Sequence, residues 1–181
     1  VSRGLGDVYK RQAPEGSGAM SAVLGMDAAV IEDVLNGREG VSIANYNCPG
    51  QIVITGEADA VAEAGTVLKE AGARRVLPLK VSGPFHSPMM RPAGEELAKV
   101  FARVSMNPLK IPYVANINAE VITDCGRIEG LLVEQVSGSV RWQQSVETML
   151  ADGVDRFIEI GPGKTLAGFI RKINREATVI N

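Results

Sequence analysis

A regular pattern of apolar and polar positions begins at Gly18. Ala19 to Leu24 (AMSAVL) is a mostly apolar run closed by Gly25, which predicts a strand. Asp27 stands as an N-cap, and Ala28 to Leu35 places Val30, Ile31, Val34 and Leu35 on one helical face until Asn36-Gly37 stops it. Val41 to Tyr46 and Gln51 to Thr55 are β-rich runs joined by Asn47-Cys48-Pro49-Gly50, a hairpin turn by composition. A second helix, capped by Asp59, turns Val61, Ala64, Val67 and Leu68 inward and ends at Gly72. Arg75 to Val81 alternates as a strand whose Pro78 predicts a sheet edge. The order is β-α-β-β-α-β over Gly18 to Val81, a split ferredoxin-like unit.

Beyond it, Ser82 to Pro88 is a loop by its glycine and prolines. Pro92 opens a helix through Val104 with Leu97, Val100, Phe101 and Val104 on one stripe. Ile111 to Asn116 and Glu120 to Thr123 are short strands, and Ile128 to Val136 and Ser145 to Ala151 are helices separated at Gly138. Arg156 to Ile160 (RFIEI) has the pattern of a buried strand, followed by Gly161-Pro162-Gly163, a helix from Thr165 to Ile173 and a strand from Ala177 to Ile180. Helices and isolated strands without a complete sheet predict part of a larger α/β layer.

Composition narrows the function classes. Across 181 residues, 45 % are hydrophobic and 22 % charged, which is a globular balance and excludes disorder, collagen and a disulfide scaffold. No apolar run approaches the ~20 residues of a membrane helix. A net charge of −2 with interspersed signs gives no footprint for nucleic acid. Cys48 and Cys125 match no zinc or CxxC spacing, so no metal is expected and a reducing compartment is the default. Residues 1–12 (VSRGLGDVYKRQ) show no sustained period and carry three of nineteen basic residues; they read as a leader outside the fold, either a linker or an artefact at the edge of a truncated reading frame.

His86 is the sole histidine and sits in a Gly/Pro-rich loop, where an imidazole could serve as general base or merely as a surface or capping group. No G-x-S-x-G elbow supplies a nucleophile, and both cysteines fall in turns. Gly161-Pro162-Gly163-Lys164-Thr165 follows a strand and opens a helix, but a phosphate loop needs a glycine five residues before Gly163, where Ile158 stands. A structural turn is expected there. The asparagines of Asn45-Tyr46-Asn47 could bond a ligand or satisfy the turn backbone. Lys80, Arg91, Arg171 and Lys172 read as solvated cations.

Three blocks in register carry a resemblance. Asn45-Tyr46-Asn47-Cys48-Pro49-Gly50-Gln51-Ile52-Val53-Ile54-Thr55-Gly56, Gly83-Pro84-Phe85-His86-Ser87-Pro88-Met89-Met90 and Glu159-Ile160-Gly161-Pro162-Gly163-Lys164 resemble the malonyl-CoA–acyl carrier protein transacylase family from Ala13 onward. The resemblance implies an α/β fold in which a ferredoxin-like subdomain (residues 13–82) is inserted into an α/β-hydrolase-like core, whose C-terminal part is residues 83–181. It implies malonyl transfer from coenzyme A, a substrate and not a cofactor, to the phosphopantetheine thiol of acyl carrier protein in fatty acid biosynthesis. His86 takes the role of base, the backbone carbonyl near Gln135 that of its orienter, and Asn45 and Asn47 line the cleft. Phe85, an aromatic before the histidine, goes with malonyl, because a ring leaves little room for an α-methyl group; such selection is worth ~1–3 kcal/mol.

The family's oxyanion segment, its G-H-S-x-G serine and its carboxylate-binding arginine have no counterpart in the sequence. The expectation is therefore the C-terminal part of a cytoplasmic transacylase, monomeric when complete, inactive alone and prone to aggregate through uncovered apolar surface. Two alternatives stand beside it. One is an acyltransferase domain of a polyketide or fatty acid synthase. The other is a non-catalytic ferredoxin-like module that binds a ligand or an acyl carrier.

Overall fold

The computed structural model describes residues 18–81 and 83–181. The leader read at residues 1–12 lies outside them. Strand β1 (Gly18–Leu24) is followed by helix α1 (Ala28–Leu35), the hairpin β2 (Val41–Cys48) and β3 (Gln51–Glu57), helix α2 (Ala58–Glu70) and strand β4 (Arg75–Pro78). They form one sheet in the order β2-β3-β1-β4 with every neighbouring pair antiparallel. The β-α-β-β-α-β order and the edge place of Pro78 are as the sequence pattern predicts. Pro49 and Gly50 make the hairpin turn, and Gly50 takes φ 71°, a conformation glycine adopts without penalty.

Alternation sorts each strand between two faces. Val23, Ile43, Ile52 and Ile54 meet Ile31, Leu35, Val61 and Leu68 of the two helices in the main core. The opposite face carries Met20, Ala22, Ala44 and Val53, also buried. β2 contains a bulge: Ile43 pairs with Ile54 and Asn45 with Val53, so Ala44 is an extra residue.

The rest of the chain adds α3 (Arg91–Phe101), β5 (Tyr113–Val114), β6 (Val121–Ile122), α4 (Ile128–Ser137), α5 (Trp142–Ala151), β7 (Arg156–Ile158), α6 (Thr165–Ile173) and β8 (Thr178–Ile180). β5 and β6 are an antiparallel ribbon and β7 and β8 a parallel pair. α5 and α6 lie along β2 and α4 packs on α3.

Several expectations need correction. Asp27 holds the N-cap position of α1 but makes no side-chain cap bond; its carbonyl accepts from Ile31 N at 3.2 Å. Val30 is exposed, since α1 buries the narrower face of Ile31 and Leu35. Asp59 is not a cap: α2 starts directly from the end of β3, so Glu57 takes the cap position and Asp59 falls in the first turn. The stripe on α3 is only partly covered: Leu97 and Phe101 are half-buried, Val100 is 57 % exposed, and the helix buries Ala93 and Gly94 fully. Trp142 extends α5 toward its N-terminus. Arg156 to Ile160 is not a buried strand, because among the described residues only β8 pairs with β7, and Ile158 and Ile160 are 63 % and 93 % exposed.

Candidate active site

The loop from Gly83 to Pro88 is docked on the second face of the sheet. Gly18, Met20 and Ala22 share that face of β1 by strand alternation. At Gly18 the absence of a side chain is a steric requirement, since an added Cβ would stand 2.5 and 2.6 Å from Pro84 Cδ and Cβ. Pro84 is fully buried there, and Phe85 packs against Met20, Ala22, Ala44 and Val53. Ser87, also fully buried, donates its hydroxyl to Pro84 O at 2.7 Å and closes the turn around His86. Ser87 O then accepts from Met90 N at 2.9 Å in the 3-10 turn (Pro88–Met90) that leads into α3.

His86, at the apex, is held at φ 59°. That left-handed conformation costs a non-glycine residue about 1–3 kcal/mol and persists only where the surroundings enforce it. The buried anchors at Pro84 and Ser87 supply that enforcement. The imidazole Nδ1 lies 3.0 Å from the carbonyl oxygen of Gln135, 49 residues away in sequence. Gln135 belongs to the last turn of α4, whose terminal carbonyls have no partner within the helix and remain able to accept. A carbonyl cannot donate, so Nδ1 carries the proton and, in the neutral ring, Nε2 keeps its lone pair. Gly94 of α3 lets the two helices meet closely: a Cβ there would be 3.1 Å from Val133 O.

Asn45 and Asn47 lie on β2, half-buried, and neither side chain makes a hydrogen bond among the described residues. Asn45 forms a backbone bridge to Val140, the third residue after α4. The structure thus brings His86 and Gln135 together, seats Phe85 beside them on the sheet, and ties the asparagine strand to the segment leaving α4. No hydrogen bond joins either asparagine to His86 among the described residues.

The arrangement is a histidine oriented by a main-chain acceptor in a strained loop. Comparison with known proteins places the whole chain among relatives. A model of the acyl transferase domain matches residues 8–180. The chain belongs to the acyl transferase domain family. It is similar to a malonyl CoA-acyl carrier protein transacylase of Bacillus subtilis (strain 168), 44 % identical over an alignment of 182 positions that covers 98 % of this chain and 57 % of that protein. A malonyl CoA-acyl carrier protein transacylase structure from Clostridium perfringens superposes with a TM-score of 0.93 at 40 % identity, covering 98 % of this chain and 57 % of that one. A type II PKS acyl-carrier protein in complex with its malonyl-transacylase matches with a TM-score of 0.89 at 37 % identity, over 97 % and 58 % of the two chains. The chain spans a little over half the length of the relatives it matches.

Two other features of this acyl transferase domain chain bear on rival chemistry. Burial pushes the Cys48 thiol up, partly offset by Lys172, which disfavours the thiolate a nucleophile needs. At the Gly161-Pro162-Gly163 turn the Glu159 carboxylate accepts from Leu166 N at 3.2 Å and Ala167 N at 2.9 Å. It fills the amide cluster that a phosphate would take, so the turn is structural. Sequence reasoning missed Glu159, Gly18 and Ser87. The signals were present in outline, since Glu159 precedes the helix and Ser87 follows His86, but their partners come from tertiary packing. Among the described residues no helix is long and apolar enough to cross a membrane.

Proposed function

We propose that the chain is part of an acyltransferase that moves a malonyl group from coenzyme A to the phosphopantetheine thiol of acyl carrier protein. The observation that carries this reading is the 3.0 Å contact between His86 Nδ1 and Gln135 O, which leaves Nε2 to accept a proton. A serine hydroxyl attacks the malonyl thioester carbonyl while Nε2 takes its proton. The C–S bond breaks, and the departing coenzyme A thiolate recovers the proton from the imidazolium. In the second half His86 takes the proton of the pantetheine thiol, whose sulfur attacks the seryl ester, and returns it to the serine oxygen. The Gln135 carbonyl holds the ring in one tautomer throughout, the part a carboxylate plays in other triads.

The serine belongs outside the 181 residues in this proposal. No G-x-S-x-G occurs in the sequence, and over 40 % of the Bacillus subtilis relative has no counterpart in the chain, which covers 57 % of it. Residues 13–82 are then the inserted ferredoxin-like subdomain and residues 83–181 a portion of an α/β-hydrolase-like core. The exposed Ile158 and Ile160 support that division, because parallel strands ordinarily belong to sheets covered on both faces. Phe85 walls the acyl site in favour of malonyl, and Asn45 and Asn47 meet the pantetheine arm. We place the complete enzyme in the cytoplasm as a monomer that needs no cofactor.

The full-length protein, quenched during turnover with malonyl-CoA and mapped by peptide mass, is expected to carry the malonyl ester on a serine outside residues 1–181. The 181-residue chain alone is expected to give no transfer above its His86→Ala control. Malonyl on a side chain within 1–181, or turnover by the chain alone above that control, would overturn the reading.

A further inference from the structure

The segment leaving α4 is bonded to the sheet more closely than a connection requires. Ser139 Oγ donates to Ile43 O at 2.6 Å, Val140 N donates to Ala44 O at 2.7 Å, and Tyr46 N donates to Val140 O at 2.8 Å. All three bonds fall on β2 at its bulge, where Ala44 is the extra residue and the carbonyls of Ile43 and Ala44 are taken by this segment. Gly138 permits the approach, because a Cβ there would overlap Ile117 Cδ1 and lie 3.0 Å from Glu134 O. Its own N–H caps Glu134 O at 2.9 Å, so the helix end and the bonded segment are continuous. Gln135, whose carbonyl meets His86, is four residues before Ser139.

We infer that Ser139 is a positioning residue for His86: its hydroxyl bond to Ile43 fixes the end of α4 against β2 and thereby sets where the Gln135 carbonyl meets Nδ1. The inference rests on the reading of His86 as the proton-transfer group. His86 is anchored from one side by the loop seated on β1, and Gln135 from the other side by the segment tied to β2. The 3.0 Å contact joins the loop seated on β1 to the end of α4, which also packs on α3. Releasing Ser139 removes one of the three bonds that tie the end of α4 to β2, while the His86 loop keeps its Pro84 and Ser87 anchors. Ser139 touches no reacting atom and acts only through the carbonyl.

The test reads the two ring nitrogens of His86 by long-range proton–nitrogen NMR in the full-length protein, with the signals assigned by their loss in His86→Ala. Wild type is expected to show the Nδ1–H form. Ser139→Ala is expected to shift the signals toward a mixture with the Nε2–H form that free imidazole side chains favour, and Ser139→Thr, which keeps the hydroxyl, to restore them. In the full-length protein the same Ser139→Ala change is expected to lower kcat between about tenfold and 10²-fold with KM unchanged. Nitrogen signals identical to wild type in a folded Ser139→Ala protein overturn the inference. Where Ser139→Ala does not fold, Ser139→Cys, which keeps the volume and weakens the donor, is read by the same two outcomes. A tautomer change without any malonyl transfer in the wild-type protein would instead refute the function and leave the positioning intact.

Discussion

Replacing Gly18 by alanine tests whether the His86 loop is seated as described. Gly18 lies in the extended strand β1 opposite Glu57, where alanine is conformationally allowed. A compatible Gly→Ala change stabilises by ~0.4–1 kcal/mol through the unfolded chain. Against this stands the contact with Pro84. The new Cβ would be 2.5 and 2.6 Å from Pro84 Cδ and Cβ, whereas carbon atoms rest at about 3.5–4.0 Å. The shortfall is roughly 1 Å against a rigid, buried ring, and overpacking of this kind costs ~1–3 kcal/mol. The net expectation is a loss of up to about 2.5 kcal/mol, read as a fall in Tm of ~2–4 °C per kcal/mol for a chain of this size. The chemical effect should be larger, because His86 is two residues beyond Pro84 and a displacement of ~1 Å can reduce turnover about 10²-fold. Thermal unfolding of the chain and malonyl transfer by the full-length protein measure the two effects. Pro84→Ala removes Cγ and Cδ and should recover part of both losses in the double variant. A Gly18→Ala protein with raised Tm and normal turnover would refute the seating of the loop.

Phe85→Ser should narrow the preference for malonyl over methylmalonyl by about 10–200-fold, measured as the ratio of kcat/KM values, with an accompanying fall in Tm from the lost packing on Met20, Ala22, Ala44 and Val53. An unchanged ratio removes Phe85 from substrate selection. The Tyr46 phenol donates to Glu32 Oε1 at 2.7 Å, and burial, then Glu32, hold it up to about 12. The folded state therefore keeps this proton more tightly than the unfolded state at 10.0. Its contribution is whole below about pH 10 and is lost as pH rises toward about 12. Denaturant unfolding of wild type and Tyr46→Phe across that window should converge; parallel curves contradict the assignment.

The two halves of the chain differed in legibility for a physical reason. In Gly18 to Val81 both helices and strands β1, β2 and β3 form the main core from residues of the same stretch, with β4 adding only Val76, so periodicity, Pro49-Gly50 and Pro78 each point to the structure that forms. In the second half the apolar stripe of α3 and the RFIEI strand have the pattern of core but leave Val100, Ile158 and Ile160 exposed. A pattern records the intention to be covered and does not say by what. The site divides in the same way. His86 stands out by residue type and its loop, and Gln135 entered through the resemblance alone, since a backbone carbonyl leaves no trace in side-chain pattern. Gly18, Ser87 and Ser139 act through close approach or through single bonds to distant main-chain atoms. Such partners become visible only once the sheet is assembled.

The central claim is that His86, held by Gln135, performs the proton transfers of malonyl transfer. It is tested most directly by His86→Ala in the full-length protein, assayed for movement of malonyl from malonyl-CoA to acyl carrier protein. The exchange is expected to fall by ~10²–10⁴-fold with Tm little changed, because the loop keeps its anchors at Pro84 and Ser87. Near-normal transfer by the folded variant would contradict the account.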